Sequence, residues 1–217
     1  RFSLAGNRLA LRSSDDLLTY DLSAARLTPE ITINTGWSGY PVAISGDGRY
    51  IATLEFPADF STPPYVQVRD GATGAPLFQV SAQTGGSGTT FGLAEFEFNP
   101  VLPLLAAAET PPGGISADQS APVLLWDVAN NRSAGQLAQP ITVINLSFSG
   151  DGTKLATDSY ENGSMNISLW DVGTQTRLSQ VNTTPIRHFM GTPLDLSRDG
   201  MRAAVGYPDG SFGMWLF

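Results

Sequence analysis

Histidine is the side chain best suited to moving protons near neutral pH, and this chain has a single one, His188. A Ser-His-Asp relay would have to run through it. The serine-rich stretches are generic, however, and no Gly-x-Ser-x-Gly elbow occurs. His188 is therefore expected to serve as a structural hydrogen-bonding residue, and no catalytic residue is assigned. The chain has no cysteine, which removes disulfides, thiol catalysis and thiolate metal ligands. Carboxylates remain. Asp59, Glu109 and Asp118 fall in two neighbouring insertions and could offer oxygen ligands to calcium. They form no contiguous Asp-x-Asp motif, so solvated loop acids are the better reading, and neither a metal nor a cofactor is expected. Asp47-Gly48, Asp151-Gly152 and Asp199-Gly200 look like ion loops but read as turns, because glycine takes the positive φ of a tight turn. A glycosidase pair needs two acids roughly 5–10 Å apart in a cleft, and spacing alone places no such pair. Five Asn-x-Ser/Thr sequons begin at Asn131, Asn145, Asn162, Asn166 and Asn182; they bear on function only in a secretory eukaryotic setting.

The elements that would carry these residues repeat. From Leu146 to Val172 the chain reads strand, tight turn, strand, loop, strand: Leu146 and Phe148 alternate with serines, Asp151-Gly152 turns, and Ile167 to Trp170 closes on Asp171. The pattern recurs on the second-strand alanines Ala10, Ala52, Ala106, Ala156 and Ala204. Eight residues before each comes an apolar anchor: Phe2, Ile44, Phe98, Phe148 and Leu196. Four residues before stand Gly6, Gly48, Leu102, Gly152 and Gly200, so the third unit breaks the turn motif. Third strands end at Tyr20-Asp21, Arg69-Asp70, Trp126-Asp127, Trp170-Asp171 and Trp215-Leu216. A period near the roughly 40–45 residues of a propeller blade, plus insertions, fits these positions.

The Phe148-Ser-Gly-Asp-Gly152 run followed by Trp170-Asp171 resembles the WD-repeat β-propeller family, in a degenerate, bacterial-like form. The resemblance spans nearly the whole chain. It implies an all-β fold of five recognisable four-stranded blades in one propeller region over residues 1–217. The blades run approximately over 1–33, 37–80, 91–139, 142–181 and 190–217, the first and last incomplete. The family's Gly-His pair is absent; Arg187-His188 is the nearest match. Val205 also replaces the usual Ser/Thr of the last unit. The strand of Phe2 begins at residue 1 and no fourth strand follows Phe217. The chain is thus expected to be an excerpt of a larger propeller, of seven blades, with a five-bladed ring as the alternative.

Composition bounds the partner. Sparse charge (15 %) with 23 Gly and 15 Pro suits many short strands and turns. A net charge of −8 with one lysine, Lys154, argues against nucleic acid and anionic membranes. No apolar run is long enough to span a bilayer.

Insertions point to a face. From anchor alanine to third-strand Asp is 11 residues in the first unit, 18 in the second, 21 in the third and 15 in the fourth. Equivalent loops of stacked repeats emerge together, often on the binding side. The candidate partner-binding set is Trp37, Tyr40, Phe60 and Tyr65 as aromatic anchors, with Asp59, Glu109 and Asp118 as an acidic rim. The expected function is a non-catalytic scaffold or sensor domain binding a protein or peptide, one with a basic segment given the net charge. The alternative is a propeller enzyme, or a small-ligand or metal-binding domain, using the central channel.

Overall fold

The computed structural model describes residues 8–13, 16–24, 31–34, 42–55, 65–81, 92–110, 121–138, 143–161, 164–183, 193–207 and 210–217. Its strands form five antiparallel sheets, each a simple meander. The first holds β1 (Arg8–Ser13), β2 (Asp16–Asp21) and β3 (Ile31–Asn34). The second holds β4 (Val42–Ile44), β5 (Tyr50–Glu55), β6 (Tyr65–Asp70) and β7 (Pro76–Val80). The third runs β8 (Gly92–Phe98), β9 (Leu104–Thr110), β10 (Val123–Asp127) and β11 (Arg132–Leu137). In the fourth are β12 (Val143–Phe148), β13 (Lys154–Glu161), β14 (Ser164–Asp171) and β15 (Thr176–Thr183). The fifth has β16 (Leu194–Leu196), β17 (Arg202–Gly206) and β18 (Phe212–Leu216).

The turns explain why the meander repeats. Between β4 and β5, Ser45 Oγ donates to Asp47 Oδ1 (2.7 Å), which also accepts the Arg49 N–H (3.0 Å). The Tyr50 N–H then closes onto Ser45 Oγ (2.9 Å), and Gly48 takes φ +73°. Ser149-Asp151-Gly152 and Ser197-Asp199-Gly200 repeat the arrangement. At the far side of each full sheet, a third-strand Asp caps the next turn: Asp70 on Thr73, Asp127 on Asn130, Asp171 on Thr174. A bulge lies just before each of these acids, at Val68/Arg69, Leu125/Trp126 and Leu169/Trp170. Such bulges add twist to the strand, which suits sheets stacked around an axis.

No sheet carries a core of its own. Apolar layers lie between neighbours: Leu17 with Ile51, Leu54 with Phe96, Leu125 with Leu155, and Leu169 with Val205. The middle sheets bury both faces, which is why β9 and β10 read as nearly unbroken apolar runs. The first strands β4, β8, β12 and β16 pack successively against one another, on the inside of the array.

Tryptophans of the third strands pack between sheets, with one hydrogen-bonding difference each. Trp170 is buried and donates from Nε1 to Thr157 Oγ1 at 3.0 Å. Ala107 occupies the Thr157 position in the third sheet, so Trp126 turns to Asn131 Oδ1 (3.3 Å). In the fifth, Val205 stands there, buried and without a hydroxyl to offer Trp215.

Candidate functional site

Antiparallel order fixes two ends of the array. Turns from first to second strands share one end; the connections from second to third strands, where the insertions fall, share the other. At the loop end of the second sheet, Glu55 closes β5 opposite Tyr65, the first residue of β6. Glu55 Oε1 accepts Thr53 Oγ1 (3.1 Å) and the Arg69 guanidinium, while Oε2 accepts the Tyr65 hydroxyl (3.3 Å). Burial, followed by the charge and hydrogen bond of Glu55, raises the Tyr65 phenol above its ordinary value. Tyr65 thus offers ring rather than hydroxyl, and the cluster ties together the two strand ends between which residues 56–64 run.

Glu109 requires a correction. It was expected on an exposed acidic rim, but it lies within β9 and is 1 % exposed. The strand extends past the expected loop start because Glu109 pairs with Leu93 across a bulge in β8 and gives its N–H to the Pro122 carbonyl (3.1 Å). Trp37, Tyr40, Asp59, Phe60 and Asp118 lie outside the described residues, as does His188. Of the proposed set, the structure therefore positions two, in adjacent sheets at the loop end.

Asp158, on β13, was not anticipated. It is 1 % exposed, and its carboxylate accepts both the Asn145 N–H (2.6 Å) and Asn145 Nδ2 (2.9 Å). These bonds hold a bulge in β12 between Val143 and Asn145. Burial pushes its carboxyl up to about 6 despite the lowering effect of the bonds from Asn145 and Ile144. A signal did exist: Asp158 follows the anchor Ala156 by two, a position held by Leu54, Ala108 and Gly206 in the second, third and fifth sheets and by Arg12 in the first. A charge on the core-facing period of a strand needs a partner. The same bonds occupy the sequon residue Asn145, and Asn166 is buried.

The inner strands enclose a cleft of about 940 Å³. Ile44, Phe98 and Phe148 give it apolar walls, and Glu97, Asp151, Asp195 and Arg198 are the charged residues that line it. Glu97 Oε2 accepts the Phe148 N–H at 2.9 Å and so ties β8 to β12. Among the described residues no group of three His, Cys, Asp or Glu could hold a metal ion. No helix of the described chain is long and apolar enough to cross a membrane.

No protein-family model and no curated protein sequence matches this chain. Solved structures do. A chain of the mitotic checkpoint complex superposes with TM-score 0.67 at 18 % identity, over 97 % of this chain and 59 % of that one. The Dos1 propeller gives 0.63 at 13 %, over 99 % and 54 %. Kuenenia stuttgartiensis hydrazine synthase gives 0.65 at 12 %, over 94 % and 53 %. The chain thus spans little more than half the length of each, and identities this low speak to fold alone. Five twisted meanders, packed face to face with their first strands innermost, have the fold of a β-propeller.

Proposed function

We propose that this chain is part of a degenerate WD-repeat propeller acting as a non-catalytic scaffold that binds a protein or peptide at its loop end. The observation that supports this is the anchoring of two insertions in adjacent sheets. Residues 56–64 connect strands that meet at the Glu55–Tyr65–Arg69 cluster, and residues 111–120 connect strands joined by the Glu109–Pro122 backbone bond. Long loops on fixed bases are a common way to build a recognition surface on a rigid scaffold. Trp37, Tyr40, Phe60 and Tyr65 are its proposed apolar contacts, with Asp59 and Asp118 as the acidic surround; Glu109 acts in the base rather than the rim. The net charge of −8 favours a partner with a basic segment, recruited faster at low salt.

The central cleft favours a second reading, a small-ligand or enzymatic site lined by Glu97, Asp195 and Arg198. The two separate experimentally. After a partner is captured and identified, replacing Trp37, Phe60 and Tyr65 together by alanine should weaken its binding by about tenfold or more. Unchanged affinity in a folded triple variant removes the loop end from consideration. Loss of binding on Asp195→Asn and Arg198→Gln instead would assign the function to the cleft.

A further inference from the structure

The tight turns between first and second strands gather at the end opposite the insertions. Three are polar Ser-x-Asp-Gly turns; the third sheet has Asn99-Pro100-Val101-Leu102-Pro103 instead. Val101 is 58 % and Leu102 51 % exposed. Single exposed aliphatics are ordinary, but this adjacent pair is also held rigidly. Asn99 Oδ1 accepts the N–H groups of Val101 and Leu102, both at 2.9 Å. Asn99 Nδ2 donates to the Gly152 carbonyl of the next sheet (2.7 Å), and the Val128 N–H reaches the Pro103 carbonyl (3.0 Å). A buried side chain, 1 % exposed, thus fixes two aliphatic groups in water. Fixing a contact surface in advance lowers the entropy cost of binding.

Val101 and Leu102 also border a cleft of about 500 Å³ toward the fourth sheet. Leu104 and Val172 extend its apolar wall, while Asp151 and Asp171 supply its charges; among the described residues no Lys or Arg lines it. Ser149 and Thr153 hold the Asp151 carboxyl down to about 2, and Thr174 lowers that of Asp171, so both are anionic at neutral pH. Lys154, the neighbouring cation, has its Nζ on the Asp199 carbonyl at 2.7 Å. Its charge still lowers both carboxyls, so the two acids are compensated only in part; apolar groups beside such acids complement an apolar group beside a base.

We propose that the turn end of the third and fourth sheets is a second docking surface, for an extended segment of a partner protein carrying an aliphatic side chain next to Lys or Arg. The aliphatic group covers Val101 and Leu102 and enters the cleft; the cation pairs with Asp151 and Asp171. This surface lies opposite the loop end and does not depend on the function proposed there.

The test is selection of short random peptides displayed on phage against this 217-residue chain, with fluorescence anisotropy of the best peptide made synthetically. Enriched sequences should pair an aliphatic residue with Lys or Arg. The double variant Val101→Ser, Leu102→Ser should weaken binding about tenfold or more with an unchanged melting curve, since both side chains are exposed. Asp171→Asn should flatten the salt dependence, while alanine at Trp37 and Phe60 should leave affinity unaltered. Enriched peptides without a basic residue, or undiminished affinity in the double variant, would overturn the proposal. Self-association of the parent chain that is abolished in the double variant would also overturn it, assigning the surface to a second copy.

Discussion

Asn99 donates to the carbonyl of Gly152, 53 residues later and in the next sheet, at 2.7 Å. The same side chain accepts two N–H groups of its own turn, so one residue replaces a Ser-Asp pair and adds a bond between sheets. Asn99→Ala should cost about 2–4 kcal/mol by stranding buried backbone groups. Asn99→Asp keeps both turn acceptors but sets a carboxylate against the Gly152 carbonyl. Urea titrations of the two variants separate the turn from the bond between sheets: a loss in the alanine variant alone would assign the whole effect to the turn.

Trp170 fills the layer between the third and fourth sheets and is 4 % exposed. Its truncation to Ala should cost on the order of 3–5 kcal/mol. Trp170→Phe keeps most of the ring volume and loses the bond to Thr157, so its cost should fall to about 1–2 kcal/mol. A denaturation curve showing less than about 1 kcal/mol for the alanine variant would contradict the packing.

Gly46 and Gly150 stand at matching positions in two turns but face different neighbours. A Cβ at Gly46 would lie 1.8 Å from the Pro100 carbonyl oxygen, whereas at Gly150 the nearest atoms, of Arg198, are 3.1 Å away. At Gly46 the overlap with backbone is severe, whereas at Gly150 the Cα and Cγ of Arg198 need give by only a few tenths of an ångström. Gly46→Ala should therefore destabilise by about 3 kcal/mol, and Gly150→Ala by about 1 kcal/mol or less. Equal melting temperatures for the pair would show that the second and third sheets are not in backbone contact.

Asp158 should give stability an unusual pH dependence. Its folded value, about 6, lies above the ordinary 3.8. Between these values the folded protein holds a proton that the unfolded chain has released, so stability falls as pH rises, by about 3 kcal/mol at full effect. Asp151 acts in the opposite sense: held down to about 2, it stabilises above pH 3.8 and loses that contribution as pH falls toward 2. Denaturant midpoints measured from about pH 3 to pH 7 should peak near pH 4. Asp158→Asn should flatten the upper side of the peak alone.

Much of the architecture was legible because its punctuation is local. Ala10, Ala52, Ala106 and Ala156 are all fully buried where sheets press together, and Asp-Gly turns fix the register around them. Ala204 follows the same register but is only partly buried. Its face of the fifth sheet, with Met214 and Leu216, has no neighbouring sheet among the described residues. The candidate site was less legible because it depends on neighbours distant in sequence. Nothing near Glu109 announces that β8 extends far enough to pair with it, and Glu97 finds its partner in Phe148 of the next sheet. Leu102 was visible as a broken glycine position. Its meaning needed the cleft beside it and the carboxylates across that cleft.

The contacts at the turn end also determine how the sheets can move. Gly46 abuts Pro100, Asn99 reaches Gly152, and the Asp151 N–H bonds the Arg198 carbonyl at 3.0 Å. Neighbouring sheets are joined along this margin by a side-chain bond, a backbone bond and a close backbone contact, while the connections between second and third strands leave from the opposite margin. Sheets joined this way would open like a fan if strained, with the pivot at the turn end. A partner wedged among the loops would change the angles between sheets with little displacement at the turns, and the two ends would respond to strain at different stiffness.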